Sequence, residues 1–201
     1  MEVFGYSRWS CHKGSLKVFS HDSINVFGGG KMRDLTTKGM DVIIACGVSA
    51  PQDIFIRGFP TGWFKLKSSK VIELDWTDGG IPSLDKGDWD ELWNGLQRLQ
   101  RKEEREINVL CCCQGGHGRT GTALAILAGV SGAYQLDPAK DILKWVRERY
   151  CSEAVERFVQ VKYIEECTGY KLNYVEPKPA ITYGSWDWIK NRYKEEQLYG
   201  D

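Results

Sequence analysis

Residues 113–121 read Cys-Gln-Gly-Gly-His-Gly-Arg-Thr-Gly, and they join an apolar, strand-like run at 107–112 to a helix-like run at 122–128. A glycine-rich loop between a strand and a helix points backbone N–H groups and the positive end of the helix dipole at one place. Such a loop binds an oxyanion and stabilises the thiolate form of a cysteine at its mouth. The stretch therefore predicts an anion site in which Cys113 is a nucleophile.

The arginine of this loop extends the prediction to a reaction type. Arg119 follows Cys113 within the loop, and its planar guanidinium can bind two phosphate oxygens at once. A nucleophilic sulfur, a ring of N–H donors and a guanidinium together indicate phosphoryl transfer to sulfur. A nucleotide-binding P-loop is excluded because no lysine follows the glycines. A zinc site built on the three consecutive cysteines is excluded because neighbouring strand residues point to opposite faces.

The loop resembles the active-site loop of the cysteine-dependent protein tyrosine phosphatase superfamily, which reads His-Cys-x5-Arg-Ser/Thr. The residues that match this pattern are Cys113, Gly116, Gly118, Arg119 and Thr120, whereas Cys112 stands in place of the family's histidine. The resemblance implies that Cys113 attacks phosphorus and that Thr120 hydrogen-bonds the sulfur and helps it to leave. It implies a phosphate-binding set of Gln114, Gly115, Gly116, His117, Gly118 and Arg119. No metal and no cofactor are expected.

A second loop resembles the acid loop of the same family. Residues 74–82 read Leu-Asp-Trp-Thr-Asp-Gly-Gly-Ile-Pro, which is similar to the family's Trp-Pro-Asp-x-Gly-x-Pro. Asp78 is the general acid that the resemblance implies, and Asp75 is the alternative, more typical of a strand end. Thr77 replaces the family's first proline, so the loop is expected to be less stiff.

Composition indicates an ordinary globular domain. The chain has 201 residues, with 27 basic and 27 acidic side chains, so its charge gives no reason to expect a nucleic acid partner. Seven cysteines, three of them adjacent, occur with no recognisable secretion signal and no long apolar span. These features favour reduced thiols, a cytoplasmic location and no membrane span. We expect a catalytic domain at 1–175 and a C-terminal extension with a short helix at 176–201, and oligomeric state stays open.

Hydrophobic periodicity favours an α/β fold. Strands are expected at 15–20, 24–27, 41–46, 71–74 and 107–112, and a triple glycine at 28–30 is expected to form a turn. Helices are expected from about Asp88, from Asp137 to about Tyr150, and along a face marked by Val155, Phe158, Val159 and Tyr163 that Gly169 ends. Alternating strands and helices predict a single domain with a central, mainly parallel sheet flanked by helices on both sides.

Together the two loops predict a phosphomonoester hydrolase acting through a cysteinyl-phosphate, a protein tyrosine or dual-specificity phosphatase with phosphorylated protein as its substrate. The chain is short and lacks a recognisable tyrosine-recognition loop, so it resembles the compact dual-specificity type more than the longer tyrosine-specific one. One alternative is a phosphate-recognising binding protein of the same fold with little turnover. Phosphoinositide or RNA 5′-phosphate hydrolysis also remains open. His117 is expected at the loop rim in solvent, and Gln160, which resembles a water-positioning glutamine of some members, is expected on a helix surface. Cys46 is the first candidate to trap an oxidised Cys113.

Overall fold

The structure is a computed structural model that describes residues 14–30, 35–47, 70–136 and 141–174. The strands are β1 (Leu16–His21), β2 (Ile24–Gly30), β3 (Val42–Cys46), β4 (Lys70–Leu74) and β5 (Ile107–Cys113). The helices are α1 (Lys86–Glu103), α2 (Gly118–Ser131), α3 (Ile142–Arg149) and α4 (Phe158–Thr168), with a 3-10 turn at Tyr134–Leu136. The expected C-terminal helix and the expected helix start at Asp137 lie outside the described residues.

The five strands form one sheet in the order β1-β2-β5-β3-β4. Strands β2, β5, β3 and β4 run parallel, and β1 pairs antiparallel with β2. This confirms the predicted α/β domain with a mainly parallel sheet. β5 is the central strand of the sheet, and its carboxyl end carries Cys113. Ligands of parallel sheets bind beside the carboxyl ends of the strands.

The triple glycine is part of β2, so the expected turn is wrong. Gly28–Gly30 continue the parallel pairing with Cys111–Cys113 of β5. A Cβ at Gly28 would lie 2.6 Å from the ring of Tyr150, and one at Gly30 would lie 2.7 Å from the carbonyl oxygen of Gly115. Glycine is therefore needed here because other parts of the chain pack directly onto the strand backbone, a contact that turn statistics do not register.

The described helices all pack on one face of the sheet. α2 is buried along nearly its whole length and contacts the other three helices. The second face carries a smaller cluster of buried residues, Ile43, Ala45, Val71, Leu110 and Cys112, against which Leu35 and Met40 pack. The sequence predicted helices on both faces of the sheet. The helices that the structure describes all lie on the face with the larger core cluster. None of the described helices is both long and apolar enough to span a bilayer.

Two helices begin at capping residues that the sequence analysis did not select. α1 is capped by Asp85, whose carboxylate accepts the Asp88 N–H at 3.0 Å. The helix therefore starts at Lys86, ahead of the expected position. α3 is capped by Asp141, whose carboxylate accepts the Lys144 N–H at 2.8 Å. In both cases the short carboxylate satisfies a first-turn N–H that has no partner inside the helix.

α4 ends at Gly169 as predicted, with φ +76 at that glycine. Of the four residues expected on its buried face, Val155 and Tyr163 are buried. Phe158 and Val159 are 38% and 43% exposed. The residues turned toward the core are Gln160, Val161, Tyr163, Ile164 and Cys167. The apolar residues that begin the helix thus misled the assignment of its buried side.

Candidate active site

Cys113 lies at the carboxyl end of β5 and is 3% exposed. The backbone N–H of Gly116 donates to its Sγ at 3.1 Å. Gly116 has φ +80, a conformation that glycine adopts without strain. α2 begins at Gly118, directly after the loop, so the positive end of its dipole lies at the same place. The loop therefore directs one backbone N–H group and the N-terminus of α2 at the sulfur of Cys113.

Arg119 links the cysteine loop to the rest of the site. Its side chain is 7% exposed, and Nη1 donates to the carbonyl oxygens of Gly47 at 2.9 Å and Trp76 at 3.1 Å. Its Nη2 lies 2.9 Å from Oδ1 of Asp78. The guanidinium is thus held by two main-chain acceptors, and the remaining nitrogen faces the candidate acid. The structure brings Cys113's loop and Asp78's loop together at this one side chain.

Gly47, at the end of β3, was missed by the sequence analysis. It has φ +64, and a Cβ there would collide with the carbonyl oxygen of Trp76 and lie 2.5 Å from Nη1 of Arg119. The close approach of three chain segments leaves no room for a side chain. The sequence signal for this role is a glycine immediately after a strand that runs parallel to β5.

The acid loop is anchored by Trp76 and presents Asp78 to solvent. The indole of Trp76 is 2% exposed and donates to the carbonyl oxygen of Gly80 at 2.8 Å. A turn between Thr77 and Gly80 carries Asp78 at its tip, with its side chain 90% exposed. Asp75 is also exposed, but it lies before the anchor, and of the two candidates it is Asp78 that contacts Arg119.

Thr120 differs from the expectation. It is fully buried, and its hydroxyl donates to the carbonyl oxygen of Gly29 at 3.2 Å. A hydroxyl has one hydrogen to donate, so in this structure it is used on β2 and not on the sulfur of Cys113. Thr120 thereby fixes the first turn of α2 to the strand beside β5.

Gln160 and His117 were both expected in solvent, and both expectations are wrong. Gln160 is fully buried; its Oε1 accepts the N–H groups of Glu156 and Arg157 at 3.0 and 3.2 Å, and its Nε2 donates to the carbonyl oxygen of Gly80 at 3.4 Å. His117 is 9% exposed, and Nδ1 lies 3.8 Å from the Glu156 carboxylate. The segment before α4 covers the loop, and spacing with Tyr163 and Ile164 on one helical face could have located Gln160.

The predicted phosphate-binding residues span one continuous loop with graded exposure. Gln114 is exposed, Gly115 is partly buried, and Gly116 to Arg119 are buried. The exposed part of the loop is therefore short, and the chain is buried again from Gly116 onward. The six cysteines in the described residues are all buried, and none of them forms a disulfide. Burial raises the pKa of the Cys46 thiol well above its ordinary value, and the neighbouring Cys111, Cys113 and Cys112 raise it further.

Comparison with known proteins agrees with this geometry. The family model described as PTP-SAK, Swiss Army Knife protein, DSP-PTPase phosphatase domain, matches residues 55–160, just over half of the chain. Two uncharacterised proteins of Methanocaldococcus jannaschii are 39% and 38% identical over 89 residues, a match that covers 44% of this chain and 49% and 53% of theirs. The chain thus spans about half the length of the curated relatives it matches.

Solved structures share the fold at low sequence identity. Tk-PTP in its active form is 18% identical, with a TM-score of 0.51 over 77% of this chain and 96% of that one. The Yvh1 phosphatase domain of Chaetomium thermophilum is 16% identical, with a TM-score of 0.51 over 75% and 92%. The human tyrosine phosphatase-like serine/threonine/tyrosine-interacting protein is 13% identical, with a TM-score of 0.50 over 77% and 95%. From the extent of the family match it follows that this chain belongs to the Swiss Army Knife DSP-PTPase phosphatase domain family.

Proposed function

We propose that the protein is a protein tyrosine or dual-specificity phosphatase that works through a cysteinyl-phosphate intermediate. The observation that carries this proposal is the contact set of Arg119. Two main-chain carbonyls fix its Nη1, and Nη2 faces Asp78 at 2.9 Å. Arg119, which belongs to the same loop as Cys113, thus contacts Asp78 of the acid loop. A nucleophile, an anion-binding guanidinium and a carboxylic acid are the combination that phosphomonoester hydrolysis on sulfur requires.

In the first step, the phosphoryl group of the substrate takes the place of the Asp78 carboxylate on Nη2 of Arg119. Sγ of Cys113 then forms a bond to phosphorus as the bond from phosphorus to the leaving oxygen breaks. Asp78, which takes up a proton from solvent once it has left the guanidinium, transfers that proton to the leaving oxygen. Its exposed position at the tip of the acid loop leaves it free to turn from the guanidinium toward the leaving group.

In the second step, a water molecule attacks phosphorus and Asp78, now a carboxylate, takes its proton. The sulfur–phosphorus bond breaks, and Cys113 leaves as a thiolate that accepts the Gly116 N–H. Because the Thr120 hydroxyl is used on Gly29, we assign stabilisation of the leaving sulfur to Gly116. Gln160 donates to Gly80 and so gives the acid loop a second anchor beside that of Trp76.

The preferred substrate class is phosphorylated protein. The loop carries Gln114 and a buried His117 between the nucleophile and Arg119, without the lysines that would recognise several phosphates at once. A single phosphoryl group is therefore what the loop can neutralise.

The proposed catalytic domain comprises residues 1–175, as inferred from the sequence. A chain ending at residue 175 is therefore expected to retain turnover.

The test compares two adjacent cysteines in the full chain. Cys113→Ser is expected to abolish hydrolysis of an aryl phosphate, because a serine hydroxyl is not ionised at neutral pH. Cys112→Ser is the matched control: its side chain lies in the cluster on the opposite sheet face, and it is expected to keep turnover. Acid quenching followed by mass spectrometry should find phosphate on Cys113.

A panel of phosphotyrosine and phosphoserine peptides, a phosphoinositide and an RNA 5′-phosphate then identifies the substrate class. Phosphate binding to the wild-type chain with no turnover of any ester would favour the alternative of a binding protein. Equal activity in wild type and Cys113→Ser would contradict the assignment of the nucleophile.

A further inference from the structure

Tyr150 contacts the catalytic loop from outside it. This residue follows α3, is 4% exposed, and its hydroxyl donates to the carbonyl oxygen of Gly116 at 2.5 Å. Gly116 is the residue whose N–H donates to Sγ of Cys113. Both hydrogen-bonding groups of Gly116 are thus engaged, one on the nucleophile and one on Tyr150.

The hydroxyl of Tyr150 restrains the most adaptable part of the loop. Glycine has the largest conformational freedom of any residue, and Gly116 must keep φ near +80 to present its N–H to the sulfur. A hydrogen bond to its carbonyl fixes the orientation of the peptide group that joins it to His117. The same bond polarises that peptide group, so the N–H at its other end becomes a stronger donor.

The sequence makes room for this contact at β2. A Cβ at Gly28 would lie 2.6 Å from Cε2 and 2.9 Å from Cδ2 of the Tyr150 ring, and one at Gly30 would lie 2.7 Å from the carbonyl oxygen of Gly115. The ring and the loop therefore both rest on the bare backbone of β2. The glycines of β2 and the side chain of Tyr150 thus together form the surface against which the loop packs.

From this arrangement we propose that Tyr150 is a positioning residue of the catalytic loop: its hydroxyl holds Gly116 in the conformation that stabilises the Cys113 thiolate and binds the phosphoryl group. This inference deepens the proposed function and rests on it. Tyr150 acts through Gly116, whose carbonyl accepts its hydroxyl and whose N–H donates to the sulfur.

The experiment compares Tyr150→Phe with Tyr163→Phe in the full chain. Tyr163 is the matched control because its hydroxyl is likewise largely buried and donates to a main-chain carbonyl, that of Leu84, at 2.7 Å, away from the cysteine loop. Tyr150→Phe removes the hydrogen bond to Gly116. Tyr163→Phe removes the hydrogen bond to Leu84 and also the one that the Tyr163 hydroxyl accepts from Nε1 of Trp89 at 2.6 Å. The readouts are the rate of Cys113 alkylation by iodoacetate against pH, the inhibition constant of inorganic phosphate, kcat and KM for an aryl phosphate, and the thermal midpoint.

Tyr150→Phe is expected to move the midpoint of Cys113 alkylation to higher pH and to weaken phosphate binding by about tenfold, as the loss of one hydrogen bond implies. The fall in kcat is expected to exceed the change in KM, because the developing charge lies on the loop. Tyr163→Phe should lose at least as much thermal stability, because it also leaves the Trp89 indole N–H without its acceptor, while keeping wild-type alkylation and phosphate binding. Equal alkylation profiles and equal phosphate binding in the two variants would overturn the proposal.

Two of these readouts do not depend on turnover, so failure of the proposed function and failure of this inference are distinguishable. If Tyr150→Phe does not fold, 3-fluorotyrosine at position 150 replaces it, since this analogue keeps the ring and is a stronger hydrogen-bond donor. The alkylation midpoint should then move to lower pH. An unchanged midpoint with the fluorinated residue would also overturn the role of the hydroxyl.

Discussion

At the scale of single residues, the site depends on the two terminal nitrogens of Arg119, which make different contacts at the same time. Nη1 binds the carbonyls of Gly47 and Trp76, and Nη2 remains for the anion. A lysine ammonium is a single point of charge and cannot hold both carbonyls while it binds phosphate. The guanidinium therefore connects the two loops, and in the proposed mechanism it binds phosphate at the same time.

Arg119→Lys is accordingly expected to lower kcat by about a hundredfold or more, the usual cost of losing a donor to transition-state charge. Arg147→Lys is the matched control, because Arg147 also donates to two main-chain carbonyls, those of Ala154 and Val155, at 2.9 and 3.0 Å. It should lose stability without a comparable fall in kcat. Steady-state kinetics and thermal denaturation of both variants measure this, and retained activity in Arg119→Lys would make the arginine purely structural.

Asp78→Asn separates proton transfer from anion binding. Hydrolysis of esters with poor leaving groups should fall by about a hundredfold, while activated aryl esters, whose leaving group needs no proton, should be spared. Phosphate should bind at least as tightly as to wild type, because the carboxylate that occupies Nη2 of Arg119 has gone. A leaving-group series and phosphate inhibition test both points. If Asp75→Asn shows this pattern and Asp78→Asn does not, the acid is the other carboxylate.

At the scale of secondary-structure elements, the ends of β3 and β5 build the site together. β3 runs parallel to β5 with Ala45 opposite Cys112, so the residues that follow each strand lie side by side. Gly47 is the point at which β3, the acid loop and Arg119 meet. Because Gly47 directly follows β3 and its carbonyl accepts from Nη1 of Arg119, the end of β3 sets the position of the guanidinium.

Gly47→Ala is expected to lower kcat/KM by about a hundredfold, since a misplacement of roughly 1 Å in a catalytic group can cost that much. Gly39→Ala is the control: Gly39 also has positive φ, +81, but nothing lies within 4 Å of a Cβ there. It should show the backbone strain of an L-residue in that region with little change in kinetics. A similar kinetic loss in both variants would attribute the effect to strain alone.

The same strand pair places Cys46 next to Cys113. Both follow the Ala45–Cys112 pair, and both belong to the core on the helix face. Adjacent strands lie about 4.8 Å apart, within the range of Cα separations that a disulfide spans. Peroxide should convert Cys113 to a sulfenic acid, which the Cys46 thiol can trap with formation of a disulfide and loss of water.

Burial raises the pKa of Cys46, so little of it is thiolate at pH 7, and trapping should become faster as pH rises toward that pKa. Peptide mapping after mild peroxide is expected to find the Cys46–Cys113 disulfide more abundant at pH 9 than at pH 7. Cys46→Ala should instead accumulate sulfinic acid on Cys113, whereas Cys151→Ala, which removes another buried thiol, should behave as wild type. Equal sulfinic acid in all three proteins would leave Cys46 with a packing role only.

At the scale of the whole molecule, the features predicted from sequence are those that depend on residues close together in the chain. The loop at 113–121 and the central strands are local features, because apolar alternation and glycine spacing follow from neighbouring residues. The contacts that assemble the site join distant residues: Arg119 and Gly47 are 72 positions apart, and Gln160 and Gly80 are 80 apart. Tyr150 and Gly116, 34 positions apart, are likewise invisible to local pattern.

The same distinction explains the incorrect expectations. Gly28–Gly30 were assigned to a turn because triple glycine is common in turns, and only their contacts with Tyr150 and Gly115 show why a strand needs them. Gln160 was assigned to the surface because glutamine is polar. Its burial is stabilised by N–H groups and a carbonyl from two other segments, which sequence alone does not bring together.

The nearly complete burial of α2 has a consequence for how the molecule opens. Amide hydrogens in a helix with core on every side exchange only when the whole domain unfolds, whereas an exposed turn exchanges through local opening. Hydrogen exchange should therefore be slowest along α2, which carries Arg119, and fast around Asp78. The two halves of the candidate site then differ in persistence: the conformation around Arg119 lasts as long as the fold itself, and the turn around Asp78 opens and recloses many times within that lifetime.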